Sequence, residues 1–206
     1  IDDNNNGVSG IEKFFDYELK KENDPLKLTV DSEIQFLIRE ELKKAEDIFN
    51  NIGSSSILMD VNTGNIIAMV SLPDFDLNKR EEIKDVNYIN RATKGVYEFG
   101  SIFKTFTFAA AFEENILEPE TKFINLPKSL NCAGFPIREY DNEMPSTLTA
   151  EQILIRSGNI GSVRVAQKLG EDKFKLFLSK IGVLDKITFD INEVGNPIEF
   201  IWGKCP

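Results

Sequence analysis

Residues 56–61 (Ser-Ile-Leu-Met-Asp-Val) and 66–70 (Ile-Ile-Ala-Met-Val) are two short, nearly continuous apolar runs around Asn62, Thr63, Gly64 and Asn65. Apolar runs flanking an Asn/Gly turn predict a β-hairpin. Runs without a regular polar face predict that this hairpin is covered on both sides. Upstream, Leu26, Leu28 and Val30 alternate with polar residues, which predicts a strand. Ser32 followed by Gln35 has the spacing of a capping box. Ile34, Leu37, Ile38, Leu42, Ala45, Ile48 and Phe49 then recur at helical spacing, with Arg39, Glu40, Lys43 and Lys44 on the opposite face. Strand, helix and buried hairpin describe a helix-covered antiparallel sheet and exclude a doubly wound one.

Further along, Phe103 to Phe112 is apolar on nearly every side, as in a buried helix. Residues 115–148 read as loops with short elements. Thr149 with Gln152 predicts a second capping box, opening a helix that runs to about Arg156. Val163–Leu169 and Phe174–Ile181 read as helices stopped by Gly170 and Gly182. A short helical pattern surrounds Phe14, Phe15 and Leu19 near the start, and a weak strand is expected around Ile187–Ile191. The expected class is α+β, mostly helical beyond residue 90, with its strands mainly before residue 71. The sheet looks unfinished.

Composition removes whole classes of chemistry. The 206 residues contain no histidine, which excludes Ser-His-Asp and Cys-His catalysis and two-histidine zinc sites. A net charge of −10 is unfavourable for nonspecific binding to nucleic acid, which depends on cations at phosphates. Cys132 and Cys205 stand far apart without a CxxC; export of the chain would allow them to pair, but two separate thiols are the favoured reading. No apolar run approaches the length of a membrane span, and no signal peptide opens the chain. The chain begins at Ile1, Asp2 and Asp3 and stops after Trp202, Gly203, Lys204, Cys205 and Pro206. Neither end reads as a natural boundary, so a piece of a longer protein is expected.

Ser101 and Lys104 carry the strongest chemical signal. Ser101 lies where a long polar stretch meets the apolar helix, and Lys104 follows one turn later on the same face. A serine at a helix N-terminus faces free N–H groups and the positive end of the dipole, which favour a developing oxyanion. A lysine held against Phe103, Phe106 and Phe108 is expected to be desolvated, which favours a neutral amine able to take the serine proton. The competing account is a serine cap followed by a lysine that snorkels to water. Ser157 and Asn159 form a second candidate pair, at the break between two helices. Gly158 as a C-cap followed by Asn159 as an N-cap accounts for that spelling equally well. Ser129 and Asn131 repeat the spacing in a loop, and context favours Ser157. The glycines at 95 and 100 have P-loop spacing, but Ser101 replaces the required lysine; the Asp60–Gly64 run departs from a calcium loop.

Ser-x-x-Lys and Ser-x-Asn belong to the signature of penicillin-binding proteins and related β-lactam-reactive enzymes. The chain resembles the penicillin-binding protein transpeptidases over nearly its whole length. Gly7–Glu12 resembles the entry to that domain, Leu28–Gln35 its first strand and helix, and Met59–Asp76 its hairpin and exit. Asn90–Ala92, Tyr97–Thr107 and Arg156–Gly161 are most similar to the monofunctional, class B division-septum enzymes of Gram-negative bacteria. Phe99 and Gly158 stand where many members have proline and serine. The signature's third motif, Lys-Thr-Gly or Lys-Ser-Gly, is absent from these residues.

The resemblance implies a penicillin-binding transpeptidase (serine β-lactamase-like) fold represented in part, by the helical subdomain and the first strands of the antiparallel sheet. Residues 1–25 would be an entry segment from a pedestal domain, and residues 26–206 the N-terminal part of the transpeptidase domain. It implies Ser101 as acylated nucleophile, Lys104 as general base, Ser157 as proton shuttle and Asn159 as a binder of the donor peptide backbone. The implied reaction of the parent protein is serine-type peptidoglycan D,D-transpeptidation on stem peptides, with β-lactams as alternative acylating agents and neither metal nor organic cofactor. These 206 residues by themselves are expected to turn over weakly or not at all, because the sheet is incomplete and exposes an edge. The implied setting is the periplasmic side of the inner membrane at the septum, beside division-complex membrane proteins, with membrane contact only through an N-terminal anchor. A serine β-lactamase or β-lactam sensor, or an inactive scaffold of a division complex, are the alternatives.

Overall fold

The computed structural model describes residues 1–21, 24–76, 78–79, 89–191 and 193–196. They fall into two compact units. The first comprises Ile1–Val96 with Lys186–Asn196, and the second contains Tyr97–Asp185.

In the first unit, the short helices α1 (Gly10–Phe14) and α2 (Asp16–Lys21) precede a long helix α3 (Ser32–Phe49). The hairpin follows as β1 (Ser54–Met59) and β2 (Ile66–Leu72), antiparallel, pairing Ser54 with Leu72 and Leu58 with Ala68. Asp60 shapes the turn by accepting the N–H groups of Asn62 and Thr63, and Gly64 takes the left-handed φ of 77° that suits glycine. Helix α3 starts one residue earlier than a Ser32 cap requires: Asp31 is the N-cap, accepting from Glu33 N–H and Ile34 N–H.

That leaves Gln35 free for another task. Its amide donates to Met69 C=O at 2.7 Å and accepts from Met69 N–H at 2.8 Å, pairing with β2 as a neighbouring strand would. Thr29 and Asp31 donate to Ile66 C=O and Ile67 C=O on the same strand. The strand expected over residues 26–30 is not formed; these few bonds replace a ladder. Arg39 grips Asp74 through two guanidinium nitrogens and ties α3 to the chain leaving β2.

Full cover of the hairpin is not found either. Ala68, Val70 and Leu72 of β2 are buried, whereas Ile57, Leu58 and Met59 of β1 are 48, 41 and 49% exposed. Residues 187–191 form no strand.

The second unit opens with a 3-10 turn (Gly100–Phe103) that runs into α4 (Lys104–Glu113). Among the described residues four short strands follow, contrary to the expectation that strands lie mainly before residue 71. β3 (Lys122–Phe123) pairs with β6 (Leu148–Thr149), and β4 (Ser129–Cys132) pairs with β5 (Phe135–Arg138). Helices α5 (Ala150–Ile155), α6 (Asn159–Leu169) and α7 (Glu171–Lys180) complete it. The Thr149–Gln152 capping box is present in both directions. Helix α6 begins four residues before the expected Val163, because its first turn has a cap that the local sequence does not supply.

The core of this unit joins Phe108 and Ala111 of α4 to Ile153 of α5 and to Ile160 and Val165 of α6, with Leu117, Phe123, Leu130 and Leu148 from the strand region. Helix α4 packs on both α6 and α7, and Phe103 meets Phe174 edge to face. Thr107, Phe108, Ala110 and Ala111 are buried but Ala109 is exposed, so α4 is covered on most sides and not all. Cys132 is disulfide-bonded, which corrects the expectation of two separate thiols; Cys205, like Trp202 and Gly203, lies outside the described residues.

Candidate active site

Lys104 is the first residue of α4, and its side chain reaches the turn between α5 and α6. Its Nζ lies 2.5 Å from Ser157 C=O, 3.1 Å from Ser157 Oγ and 2.6 Å from Asn159 Oδ1. Three acceptors match the three N–H bonds of an ammonium group. Burial opposes that charge and lowers the Lys104 pKa from its ordinary value, while the Glu139 carboxylate acts in the opposite, raising direction. Burial prevails. A neutral amine keeps two N–H bonds and gains a lone pair, so deprotonation releases one of these contacts and creates an acceptor beside the turn.

Ser157 owes its position to its backbone. Its φ of 54° is left-handed, unusual for a residue with a Cβ. Gly158 N–H returns to Ile153 C=O at 2.8 Å and ends α5, after which α6 starts at once. This conformation lets both the carbonyl and the hydroxyl of Ser157 face Lys104.

Asn159 is fixed from two sides. Its Nδ2 donates to Arg138 C=O at 2.7 Å, which leaves Oδ1 toward Lys104. Its backbone N–H donates to Glu139 Oε2 at 2.6 Å, and the N–H of Ile160 donates to Glu139 Oε1 at 2.9 Å. Gly158, the N-cap residue, has no side chain to offer, and Glu139 satisfies these two helix donors from just beyond β5. Sequence reasoning missed Glu139 and Arg138. The cap comes from 20 residues upstream, and no local pattern marks it.

Ser101 sits inside the 3-10 turn, not at the N-terminus of an α-helix as expected. It is exposed, and its hydroxyl has no hydrogen-bond partner among the described residues. It caps nothing, so the alternative of a helix-capping serine is set aside. Lys104 is half-buried and turned to Ser157 and Asn159, so the alternative of a snorkelling surface lysine is set aside too. Phe103 and Phe106 stack edge to face with each other, but what surrounds the lysine is chiefly polar. Ser129 and Asn131 are exposed residues of β4, so that second Ser-x-Asn is part of a strand.

Lys104 and Asn159 also line an open cleft of about 530 Å³. Thr107 of α4, Ser162, Val163 and Ala166 of α6, and Pro136–Arg138 of β5 form its other walls.

A lysine thus converges on a serine and an asparagine, one turn after an exposed serine. The family model of the penicillin binding protein transpeptidase domain matches residues 55–199, and the chain belongs to that family. It is 27% identical over 202 residues to the probable peptidoglycan D,D-transpeptidase FtsI of Caulobacter vibrioides, covering 96% of this chain and 34% of that protein. It is 28% identical over 214 residues to the stage V sporulation protein D of Bacillus subtilis, covering 97% of this chain and 33% of that one. The chain thus spans about a third of the length of these curated relatives. Penicillin-binding protein 3 of Mycobacterium tuberculosis superposes with a TM-score of 0.79 over 95% of this chain and 46% of that one; at 20% identity the likeness speaks to the fold alone. The α+β class and the partial transpeptidase fold are as expected.

Proposed function

We propose that this chain carries the acylating half of a peptidoglycan D,D-transpeptidase. Ser101 is the nucleophile. Its Oγ attacks the carbonyl carbon of the penultimate D-alanine in a D-Ala-D-Ala stem peptide, and Lys104, as the neutral amine, takes the hydroxyl proton. The C–N bond to the terminal residue then breaks, and the proton passes by way of Ser157 to the leaving nitrogen, so that D-alanine departs as a neutral amine. An amine of a neighbouring strand attacks the acyl-serine, forms the new amide and returns a proton to Ser101. Asn159 holds the donor peptide backbone. A β-lactam enters the same first step, its ring amide bond breaking in place of the peptide bond.

The observation that supports this reading best is the convergence of Lys104 Nζ on Ser157 and Asn159, one turn after an exposed serine. In the longer protein, residues 1–25 serve as the entry segment and residues 26–206 as the first part of the transpeptidase domain. The substrate is septal peptidoglycan, reached from the periplasmic side of the inner membrane in company with division proteins. The names of the Caulobacter and Bacillus relatives, a D,D-transpeptidase and a sporulation protein, favour wall synthesis at a septum over a β-lactamase.

The test is intact-mass spectrometry after incubation with benzylpenicillin, beside Ser101→Ala and a circular-dichroism check of folding. The expected result is one stable adduct that the variant lacks. A folded chain without an adduct means that this half of the site is not sufficient for acylation, so that the transpeptidase reading rests on the longer protein alone; an adduct that hydrolyses within seconds favours a β-lactamase.

A further inference from the structure

The geometry points to Glu139 as a positioning residue, which holds the Asn159 backbone so that the Asn159 amide and the Lys104 amine stay in register. The inference deepens the acyl-transfer reading and rests on it for its catalytic consequence, though not for its geometry.

Three observations converge on this residue. The first helical N–H groups of α6, those of Asn159 and Ile160, each donate to a different oxygen of one carboxylate. The N-cap is a glycine with no side chain, so these donors have no local acceptor. The neighbouring Arg138 C=O accepts from Asn159 Nδ2, so two consecutive residues clamp the asparagine, one by its backbone and one by its side chain. The ordinary account of such a carboxylate is helix capping, a contribution to stability alone. Here the capped residue is the one whose Oδ1 takes Lys104 Nζ at 2.6 Å, so a loosened cap moves the lysine's partner.

Glu139 also places a negative charge near Lys104 and raises the lysine's pKa against the effect of burial. Among the described residues, Glu139, just beyond β5, is the charged group that acts on Lys104, and Arg138, the last residue of β5, lines the same cleft. The faces of α4 and α6 lining the cleft present Thr107, Ser162, Val163 and Ala166, none of which titrates. A carboxylate and its amide differ in both respects. Glutamine has a single acceptor oxygen for two N–H groups, and it removes the charge.

The experiment compares the chain with Glu139→Gln, Glu139→Asp and the double variant Glu139→Gln/Gly158→Ser. A serine at position 158 meets nothing closer than 3.4 Å at its Cβ and supplies a local cap to the N–H groups of the helix. Hydrogen exchange at the amides of Asn159 and Ile160 and an NMR titration of Lys104 need no turnover. Glu139→Gln is expected to speed exchange at both amides by about tenfold or more and to move the Lys104 titration to lower pH. The aspartate is expected to restore both in part. The rate of acylation by benzylpenicillin is then followed by mass against pH. Its high-pH plateau is expected to fall roughly tenfold to a hundredfold in Glu139→Gln, while the inflection shifts downward.

The double variant separates positioning from capping: stability is expected to return while the plateau stays low, because a serine cap does not hold the Asn159 N–H. Full recovery of the plateau with stability would reduce Glu139 to a helix cap and overturn the inference. So would unchanged exchange at Asn159 together with an unchanged plateau. If Glu139→Gln does not fold, the aspartate and the double variant carry the same comparison. A wild-type chain that does not acylate, with exchange and titration shifted as expected in the variants, leaves Glu139 in place and shows instead that this half of the site does not acylate by itself.

Discussion

Lys104 faces two opposing demands. Three oxygens around Nζ favour the ammonium, and burial disfavours it, with the pKa lowered as the outcome. The sign has two consequences. In the folded chain the proton is held less tightly than in the unfolded chain, so between the lowered value and the ordinary lysine range of about 10.4 the unfolded state binds more protons. Stability contributed at this residue therefore rises with pH across that window, and the cost of the buried charge is fully present below it. If Lys104 is the base, acylation by penicillin rises with pH as the amine becomes neutral. It is then expected to level off before the ordinary range of free lysine is reached. Stopped-flow acylation rates between pH 6 and 10 test this, with Lys104→Arg as control, since a guanidinium stays protonated throughout. A rate that ignores pH, or an arginine variant that acylates normally, removes Lys104 from the role.

The turn between α5 and α6 brings the site together, and its packing is tight. A Cβ on Gly161 would stand 2.6–2.7 Å from three atoms of the fully buried Ile153. That glycine lets α6 approach α5 closely, which keeps Ser157 and Asn159 on the short link between them. Gly161→Ala is expected to destabilise the fold by about 1–3 kcal/mol through overpacking. It should also slow acylation more than an equally destabilising change remote from the turn. Urea denaturation with parallel acylation rates checks both, and a variant of native stability would show that Ile153 yields easily.

The turn also marks the limit of what the sequence made legible. The helices around it were readable because their apolar spacing and the Thr149–Gln152 capping box are local signals. The start of α6 was not, because its cap is Glu139, brought in by the β4–β5 hairpin. Similarly, the spacing of Ser32 and Gln35 predicts a capping box, but Gln35 serves as a surrogate strand for β2, a role visible only once α3 lies on the hairpin. Ser101, Lys104, Ser157 and Asn159 were legible as types and spacings. That Lys104 turns to the last two depends on where α4 meets α6.

At the scale of the molecule, the hairpin has two unlike edges. Thr29, Asp31 and Gln35 occupy backbone groups of β2 on one side, and β1 pairs with it on the other. Among the described residues the outer edge of β1 has no strand beside it, and Ile57, Leu58 and Met59 remain 41–49% exposed there. An apolar edge with free N–H and C=O groups is a template for further pairing, and proteins ordinarily blunt such edges with charge or bulges. The irregularity at Leu58/Met59 falls at the hairpin end and leaves Ser54–Ile57 in regular register. These 206 residues are therefore expected to self-associate through β1 as concentration rises. Leu58→Lys places a charge at that edge without altering the β1–β2 ladder, and it should return the chain to monomer in light scattering coupled to size exclusion. Lysine at Glu151, an exposed residue of α5, is the control for added charge. Equal association of both variants would move the contact away from β1, and a wild type that stays monomeric at high concentration would show that its edge is already protected.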